Sequence, residues 1–488
     1  MNIHPKLLKN QLTKPILVTQ GQDLLQNKQG YDFITEGSNY IDMKKRWPRF
    51  MILALVCFMK FSTYFLTNTP GSITQELLEK YEITNVEYGM LFSIYSIPNI
   101  FLSLVTGLVI DRMGIRKSTI CFNFIILFGQ GLFALSSYIE SYYLALIGRL
   151  ILGIATESLG VAVVIIINLW FQNKEIGFAC AILITISKAG TSMSNLLSPQ
   201  IMVAADSITY VLCFGFLLQS IAFICAFAFS KIDSTNEKNL QFQKEISQQT
   251  LDTSDSVQKQ GFISIAFIKT LSAQFWFFAL VCLLSYCTFG PFQNNISLIL
   301  RVRFGFGILE AGEIMAYLVI VSTVICPFIG YVSDKVNQRI LTLALASLVL
   351  TISHFYTAIM PDSQRSLHII FPLVLYEIAV GLFISNMWAA LNELVDKQRL
   401  GFGVGLVNSA QNIGQAIAPI MIGVILDQNL EDKSYGLRQI SYFMAFISLT
   451  YFIILLCQGM FSKIGYSKDK QPRKFSFNKK ESCNVSLL

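Results

Sequence analysis

Twelve long apolar segments constrain the fold of this chain more strongly than any other feature of its sequence. A run of about 18 or more apolar residues can cross the hydrocarbon core of a bilayer as a helix. A helix also satisfies all of its own backbone hydrogen bonds, which a membrane requires. The sequence therefore predicts an all-α membrane protein with helices at 49–68, 87–110, 117–137, 142–169, 177–198, 208–230, 272–299, 308–333, 339–360, 368–392, 401–426 and 437–461.

The composition agrees with residence in a membrane and argues against other classes of protein. Of the 488 residues, 53% are hydrophobic and 14% are charged, against roughly 25% charged in an ordinary soluble domain. The net charge of +7 comes from basic residues beside helix ends, so no nucleic-acid partner is expected. The ten cysteines are scattered and form no C-x-x-C pair. We therefore expect no metal site and no redox dithiol. Because the sequence has no phosphate-binding Gly loop and no Ser/His/Asp triad in a soluble region, we expect no cofactor and no catalytic residues, and the chain is not expected to be an enzyme.

Polar segments divide the chain into five parts. We expect an N-terminal tail at 1–48, a first six-helix bundle at 49–230, a linker at 231–271, a second six-helix bundle at 272–461 and a C-terminal tail at 462–488. If the helices alternate in direction, the loops rich in Lys and Arg fall on one side of the membrane. The positive-inside rule makes that side cytosolic, so both termini are expected in the cytosol.

An internal repeat relates the two bundles. The segment GFACAILITISKAG at 177–190 matches GFGVGLVNSAQNIG at 401–414. The segment GLVID at 107–111 matches GYVSD at 330–334, with nearly the same offset along the chain. Two separate places with nearly one offset indicate a six-helix unit duplicated in parallel. Such repeats are typical of alternating-access carriers, whose binding site lies at the midplane between the halves.

The strongest local motif is GLVIDRMGIRK, at the end of the second predicted helix. It resembles the cytoplasmic signature of the major facilitator superfamily, which implies the major facilitator fold of twelve transmembrane helices in two six-helix bundles. The resemblance also implies a conformational latch rather than a substrate site. Gly107 would allow close contact between helices. The alternative interpretation of the motif is an ordinary basic loop in which Gly114 ends the helix. The latch residues are Gly107, Asp111, Arg112, Gly114, Arg116 and, in a degenerate second copy, Asp334.

Ionisable residues inside predicted helices mark a candidate site, because an unpaired charge in hydrocarbon costs about 3 kcal/mol or more. Glu157 lies near the middle of the fourth helix and Lys188 at similar depth in the fifth. The two are candidates to face one cavity and bind a zwitterionic solute, the carboxylate holding an ammonium and the lysine a carboxylate. A structural ion pair is the alternative for Glu157. Lys60 is expected to pair with Glu157 or Glu377, or to set the net charge of the site.

Polar and aromatic residues at similar depth complete the candidate cavity. They are Tyr64 and Asn68 in the first helix, Tyr95 in the second, Gln293 and Asn294 in the seventh, Asn386 and Trp388 in the tenth, and Asn408, Gln411 and Asn412 in the eleventh. None of the three histidines lies deep in a predicted helix, so a buried histidine proton relay is not expected. A carboxylate relay through Glu157 stays open.

Several segments together are similar to the lysosomal dipeptide uniporter group of the major facilitator superfamily. The most specific are GRLILGIATESLGVAVVIIINLWFQNKE in the fourth helix, SKAGTSMSNLL in the fifth and SAQNIGQAIAPIMIGVILD in the eleventh. The similar segments span most of residues 50–427. The resemblance implies that Glu157 engages the amino terminus of a peptide. It also implies that Lys188, where the family has an arginine, engages the carboxyl terminus.

Two features depart from the pattern of that group. Lysine at position 188 lacks the bidentate fork of arginine. Lys60 stands where the group has a small residue, which would favour a more acidic substrate or fill part of the cavity. The resemblance further implies a glycosylated single-span accessory protein. The predicted lumenal loops contain no Asn-x-Ser/Thr site, which agrees with a carrier that such a partner shields.

The sequence is therefore interpreted as a transporter that exports a dipeptide or similar small zwitterion from the lysosomal lumen by alternating access, as a uniporter. The membrane is expected to be lysosomal or a related endomembrane, with the plasma membrane as an alternative. One rival function is a proton-coupled or facilitated carrier of another small solute, such as an organic anion or a sugar. A second rival is a non-transporting membrane receptor on the same fold.

Overall fold

The computed structural model describes residues 46–171, 175–248, 271–336, 338–395 and 400–468. Twelve helices in this part of the chain are long and apolar enough to cross a membrane, which confirms the predicted number. The helices are α1 (Arg46–Ser72), α2 (Thr74–Tyr81), α3 (Asn85–Met113), α4 (Ile115–Ile139), α5 (Tyr142–Trp170), α6 (Ile176–Ala205), α7 (Ile208–Gln248), α8 (Ala273–Gln293), α9 (Ile296–Phe304), α10 (Ile308–Val336), α11 (Arg339–Ile359), a short 3-10 turn (Leu367–Ile369), α12 (Ile370–Leu394), α13 (Leu400–Asp427) and α14 (Lys433–Lys468).

Two short helices, α2 and α9, differ from the predicted pattern. The helix predicted at 272–299 ends at Gln293, and α9 begins separately at Ile296. Pro291 lies near this break, and its carbonyl accepts a hydrogen bond from Asn295 Nδ2 at 2.8 Å. In each half the short helix follows the first span, and the offset from Thr74 to Ile296 is close to that of the repeated segments. The short helices therefore obey the internal repeat that the sequence shows.

The helix predicted to end at residue 230 continues to Gln248 as part of α7. Its extension packs back on the first half through Asp233. The indole Nε1 of Trp170 donates a hydrogen bond to Asp233 Oδ1 at 3.1 Å, and Arg116 Nε lies 3.8 Å from Asp233 Oδ2. These contacts stabilise the helix beyond the end of the apolar run, where its residues are polar. The rest of the predicted linker, 249–270, and both tails up to 45 and from 469 lie outside the described residues.

The repeated glycines show how the same helix packing is used in both halves. Gly190 on α6 lies against α1 so closely that a Cβ atom would sit 2.3 Å from Phe61 O. Gly414 on α13 lies against α8 in the same way, with a Cβ atom 2.4 Å from Leu283 O. Small residues of this kind let helix backbones approach in a membrane. Gly177 and Gly401, at the other end of each repeated segment, face open space.

Each half has its own apolar core. Side chains such as Phe65, Leu159 and Ile166 are fully buried in the first half, and Phe278 and Phe383 in the second. The halves meet mainly where α13 packs on α3 and α10 packs on α6. Residues of α1, α3, α5, α6, α8 and α13 line the space that remains between the halves.

Asp362, in the loop between α11 and the 3-10 turn, ties several segments of the second half together. Arg303 Nε donates to Asp362 Oδ1 at 2.9 Å, Arg438 Nη2 lies 3.0 Å from Asp362 Oδ2, and Ser434 also donates to this carboxylate. Burial raises the pKa of the Asp362 carboxyl, but the three donors outweigh it and hold the pKa below its usual value. Because a lowered pKa stabilises the fold above the unfolded-state pKa, this contribution persists in mild acid and is lost only at lower pH.

We predict that the repeated glycines divide into two pairs when each is replaced by alanine. Gly190→Ala and Gly414→Ala each place a methyl group against backbone, which costs about 1–3 kcal/mol through overpacking. Gly177→Ala and Gly401→Ala are the matched controls, since their Cβ atoms meet nothing within 4 Å. Thermal unfolding of the purified variants measures the difference. A lower midpoint in the control pair than in the contact pair would contradict the assigned packing.

Candidate functional site

Glu157 of α5 lies at the centre of the space between the halves. Its side chain is exposed although it is in the middle of a membrane-spanning helix. It interacts electrostatically with Lys60 and Tyr64 of α1, Tyr95 of α3 and Tyr286 of α8. Because α8 belongs to the second half, Glu157 is within electrostatic range of both bundles. Tyr286 was not among the residues predicted for the site.

The ammonium of Lys60 interacts electrostatically with this carboxylate and packs over the Tyr64 ring. Lys60 Nζ lies 4.9 Å from the centroid of the Tyr64 ring. On α5, a Cβ atom at Gly160 would lie 3.3 Å from Lys60 Nζ, so the glycine makes room for the ammonium. Of the two partners expected for Lys60, the structure brings Glu157 near it. The positive charge of Lys60 therefore offsets part of the negative charge of Glu157.

Lys188 of α6 has a different environment from the one the sequence suggested. Its Nζ donates a hydrogen bond to Ser322 Oγ of α10 at 2.9 Å. The buried carboxylate of Glu377 on α12 interacts electrostatically with Lys188 and accepts a hydrogen bond from Ser322. Lys188 is thus part of a polar network that crosses from the first half to the second. Its depth along the helix does not by itself show which neighbouring helix the side chain reaches.

A small cavity of about 190 Å³ lies between the halves. This volume is below the roughly 300–1,000 Å³ of pockets for drug-sized ligands, so the cavity suits a small solute. Tyr64 and Tyr95, which interact electrostatically with Glu157, are among its lining residues. Both bundles contribute to its walls. The lining residues are Tyr64, Thr67, Asn68, Phe92, Tyr95, Ser96, Arg149 and Thr191 from the first half, and Gly290, Pro291, Gln293, Asn294, Gln415 and Pro419 from the second.

Arg149 is the one charged residue among those lining residues, and sequence reasoning did not select it. It lies on α5, eight residues before Glu157, and its side chain is 1% exposed. Its Nε donates to Leu91 O at 3.2 Å, and its guanidinium carbon lies 5.0 Å from the centroid of the Tyr95 ring. The signal was present in the sequence, because an arginine inside an apolar helix marks a functional candidate by default.

The predicted site residues divide into two groups. Tyr64, Asn68 and Tyr95 line the cavity together with Gln293 and Asn294. The candidates from the tenth and eleventh predicted spans, which are α12 and α13 in the structure, do not line the cavity, because their side chains contact other partners. Asn386 accepts a hydrogen bond from Arg339 Nη1, Gln411 donates to the sulfur of Met387, Asn412 donates to the carbonyl of Asn408 on its own helix, and Trp388 packs against the core of the second half.

The expectation that no histidine is deeply placed was wrong for His354. This residue lies in α11 and is 0% exposed. Its ring centroid is 4.4 Å from that of Phe292 and 5.9 Å from that of Tyr376. The sequence placed it near the end of an apolar run, where solvent contact is common. The neighbouring aromatic side chains cover it instead.

The latch motif lies at the end of α3, away from the cavity. Gly114 has φ = 79° and ends the helix, its N–H donating to Ile110 O at 2.8 Å. Asp111 and Arg112 are exposed. The close contact expected at Gly107 is absent, since a Cβ atom there would meet nothing within 4 Å. Of the remaining latch residues, Arg116 pairs with Asp233, and the side chain of Asp334 is outside the described part of the structure.

The cavity is closed at the end of the molecule where α2 lies, here called the Glu76 end. Arg301 Nη1 of α9 lies 2.7 Å from Glu76 Oε1 of α2. Asp427, at the end of α13, accepts hydrogen bonds from Asn85 N at 2.9 Å and Val86 N at 3.0 Å. The carboxylate thereby caps the N-terminus of α3 across the interface, where the helix dipole favours an anion. Access to the exposed Glu157 must come from the opposite end, here called the Arg116 end.

Comparison with known proteins gives a consistent picture. The family model described as Major Facilitator Superfamily matches residues 52–419 and 327–476. The chain is similar to the lysosomal dipeptide transporter MFSD1 of Homo sapiens, with 25% identity over 84% of this chain and 85% of that protein. The Mus musculus protein of the same name is 25% identical over 87% of this chain and 90% of its own length.

Two solved structures share the fold. The nucleoside transporter NupG superposes with a TM-score of 0.64 at 12% identity, covering 84% of this chain and 99% of that one. The human organic anion transporter MFSD10 (TETRAN) superposes with a TM-score of 0.57 at 14% identity, with the same coverage of both chains. At these identities the likeness concerns the arrangement of helices alone.

We predict that Asp427→Ala opens the Glu76 end. The change removes charge-assisted hydrogen bonds between the halves, each worth about 1.5–3 kcal/mol. Spin labels introduced at Glu79 and Leu430, both exposed, should report a longer distance in the variant. Asp432→Ala is the matched control, because Asp432 accepts its hydrogen bond from Tyr435 within the second half. An unchanged distance in Asp427→Ala would show that the joint does not close this end.

Proposed function

The chain belongs to the major facilitator superfamily and is a multi-pass membrane transporter, and we propose that it moves dipeptides across its membrane by alternating access. The direction proposed is export from the lumen of a lysosome or related organelle, driven by the solute gradient alone. The substrate is a small zwitterion that binds between the two bundles. A glycosylated single-span accessory protein belongs to this proposal on the resemblance alone.

The observation that carries the proposal is the position of Glu157. An exposed carboxylate halfway along a membrane-spanning helix, within electrostatic range of the other bundle, is suited to bind an ammonium group. Three tyrosines interact with it electrostatically, and their rings suit an organic cation as well as an apolar side chain. In the structure Lys60 supplies a positive charge that interacts with Glu157. The amino terminus of a dipeptide would take over this role when it binds.

The relatives support the choice of substrate. The bovine protein named lysosomal dipeptide transporter MFSD1 is 24% identical over 84% of this chain, so the similarity extends through both bundles. Glu157 lies in the helix whose sequence most resembles that group. The resemblance is the ground for choosing a dipeptide over other zwitterions, and it also suggests the lysosomal membrane.

The structure suggests how the two bundles would rock. The Glu76 end is closed by Asp427 and by the pair of Arg301 with Glu76. By the positive-inside rule the Arg116 end is proposed to face the cytosol, so the structure corresponds to a state open to that side. Closing the Arg116 end would bring the latch around Gly107 against its neighbour. The network of Lys188, Ser322 and Glu377 crosses the interface near midplane and would have to rearrange in each cycle.

A second candidate function is a carrier of small organic anions. It is favoured by Arg149, since the one charged residue among those lining the cavity is positive. Such a substrate would leave Glu157 without a partner beyond Lys60. It would therefore be transported equally well when Glu157 is neutral.

We predict that Glu157→Gln abolishes dipeptide uptake into liposomes that contain the purified protein. The variant loses the carboxylate that would bind the amino terminus, and it leaves the Lys60 charge unbalanced. Glu79→Gln removes an exposed glutamate at the Glu76 end and should transport normally. Uptake by Glu157→Gln at the rate of the unmodified protein would contradict the assignment.

The double variant Lys60→Met/Glu157→Gln separates folding from transport. Removing both members of a charge pair is often neutral for stability, whereas removing one leaves an uncompensated charge. The double variant should therefore unfold at a higher temperature than Glu157→Gln alone and should still transport no dipeptide. Recovery of transport in the double variant would show that Glu157 only balances Lys60.

A further inference from the structure

We propose that the first half binds an anionic phospholipid, with one acyl chain in a groove between α1 and α6 and the phosphate at Arg49. The site is separate from the transport site, because the residues that line this groove and those that line the cavity between the halves do not overlap. It goes beyond transport and does not depend on which solute is carried. Two features that transport leaves unused support it, and they are an apolar groove and a buried arginine beside its end.

The groove has a volume of about 460 Å³, more than twice that of the cavity between the halves. This volume is within the range of pockets that hold drug-sized ligands. Every residue that lines it is apolar, and the walls include Phe50, Ala54, Phe58 and Phe61 of α1 with Ile182 and Ile186 of α6. A polar solute would find no side-chain hydrogen-bond partner there, whereas a hydrocarbon chain would be buried against these walls.

The groove opens toward the membrane rather than toward the second half. Ile186 and Lys188 are two positions apart, so they lie on nearly opposite sides of α6. Lys188 reaches Ser322 of the second half, and Ile186 therefore points away from that half. On α1 the lining residue Ala54 is exposed and shares a helix face with the exposed Trp47. The neighbours of the groove in a bilayer are therefore lipid chains.

The length of the groove matches one leaflet of a bilayer. Phe61 lies eleven positions after Phe50, which corresponds to about 16 Å along α1. The whole hydrocarbon core is about 30 Å thick, so the groove covers about half of it. Trp47, 87% exposed, precedes the groove by one turn, and tryptophan is enriched at the level of the lipid headgroups. The groove thus runs from the headgroups toward the midplane, as an acyl chain does, whereas a membrane-spanning helix of a partner would need a longer face.

Arg49 lies in the first turn of α1, beside the headgroup end of the groove. Its guanidinium carbon is 5.7 Å from the centroid of the Phe171 ring, and the ring of Phe50 packs on the same ring at 5.9 Å. The residue is only 6% exposed, although an arginine near a membrane surface ordinarily extends to water. Within the described residues its guanidinium makes no hydrogen bond or ion pair. Its Nε is fully buried, but its two terminal nitrogens are not, so they can meet a ligand.

A phosphate group fits this position. The planar donors of arginine match phosphate oxygens, and the N-terminus of a helix favours an anion. α1 has no acidic residue in its first turn, so no side chain of that turn supplies the negative charge. The Arg116 end, where Arg49 lies, is the end proposed to face the cytosol, and the cytosolic leaflet carries the anionic lipids. An anionic phospholipid therefore satisfies the arginine and the apolar groove together.

Native mass spectrometry of the purified full-length protein tests the role of Arg49. Dioleoylphosphatidylglycerol and dioleoylphosphatidylcholine have the same chains, but only the first has a net negative charge. The first lipid bound should be held about fivefold more tightly when it is phosphatidylglycerol, as expected for one basic residue at the headgroup. Arg49→Gln should bind the two lipids equally, and Lys231→Gln, which removes an exposed lysine at the same end, should keep the preference. Equal binding by the unmodified protein, or an unchanged preference in Arg49→Gln, would overturn the inference.

A second variant tests the groove itself. Ala54→Trp fills it and should weaken the first binding step of both lipids about tenfold, because the acyl chain loses its apolar contacts. Ile224→Trp adds the same bulk at an exposed position of α7 that does not line the groove, and it should bind both lipids as the unmodified protein does. Undiminished binding in Ala54→Trp would overturn the inference. If Arg49→Gln does not fold, Arg49→Lys should keep part of the preference, and Ala54→Trp decides. Because no step measures dipeptide uptake, failure of the proposed function would leave this result unaffected.

Discussion

The structure depends on one constraint, which is that ionisable groups inside a membrane need a partner or a path to water. The first half places Lys60, Arg149, Glu157 and Lys188 within its membrane-spanning helices, and the second half adds Glu377. Lys60 is balanced by Glu157, and Lys188 is joined through Ser322 to Glu377. Arg149 is covered by aromatic rings, lines the cavity and has a buried Nη1 without a hydrogen-bond partner. These arrangements all lie at or near the interface between the bundles. The charges inside the membrane are therefore compensated in the same region as the candidate site.

Helix packing makes these arrangements possible. α5 carries both Arg149 and Glu157, and it is held against α3 so closely that a Cβ atom at Gly153 would lie 2.2 Å from Tyr95 O. That contact brings Tyr95 between the two charges, where it interacts with each of them. The same use of small residues recurs at Gly190 and Gly414, which relates the two halves. Close packing of helices within a bundle and looser, polar contacts between bundles agree with a fold whose halves move as units.

Much of this fold can be predicted from the sequence. The length of the apolar segments and the offset of the internal repeat do not depend on which helices pack together. The break between α8 and α9 was not predicted, although Pro291 and the local hydrogen bond from Asn295 to its carbonyl mark it. The extension of α7 was not predicted because it depends on a tertiary contact at Asp233. The depth of Glu157, Tyr64 and Tyr95 was likewise readable from position along a helix. The direction of Asn386, Gln411 and Lys188 was not, because a polar residue at midplane can face any adjoining helix. Arg149 lies nearer to the end of its helix than Glu157 does, so depth along the helix alone does not single it out.

The central claim is that a carboxylate halfway across the membrane selects the amino terminus of the substrate. Uptake of alanyl-alanine and N-acetyl-alanyl-alanine into liposomes that contain the purified protein, with equal pH on both sides, tests it most directly. Acetylation removes the ammonium group and leaves the carboxylate and the side chains unchanged. The account predicts rapid uptake of the free dipeptide and none of the acetylated one. Equal uptake of the two compounds would contradict it.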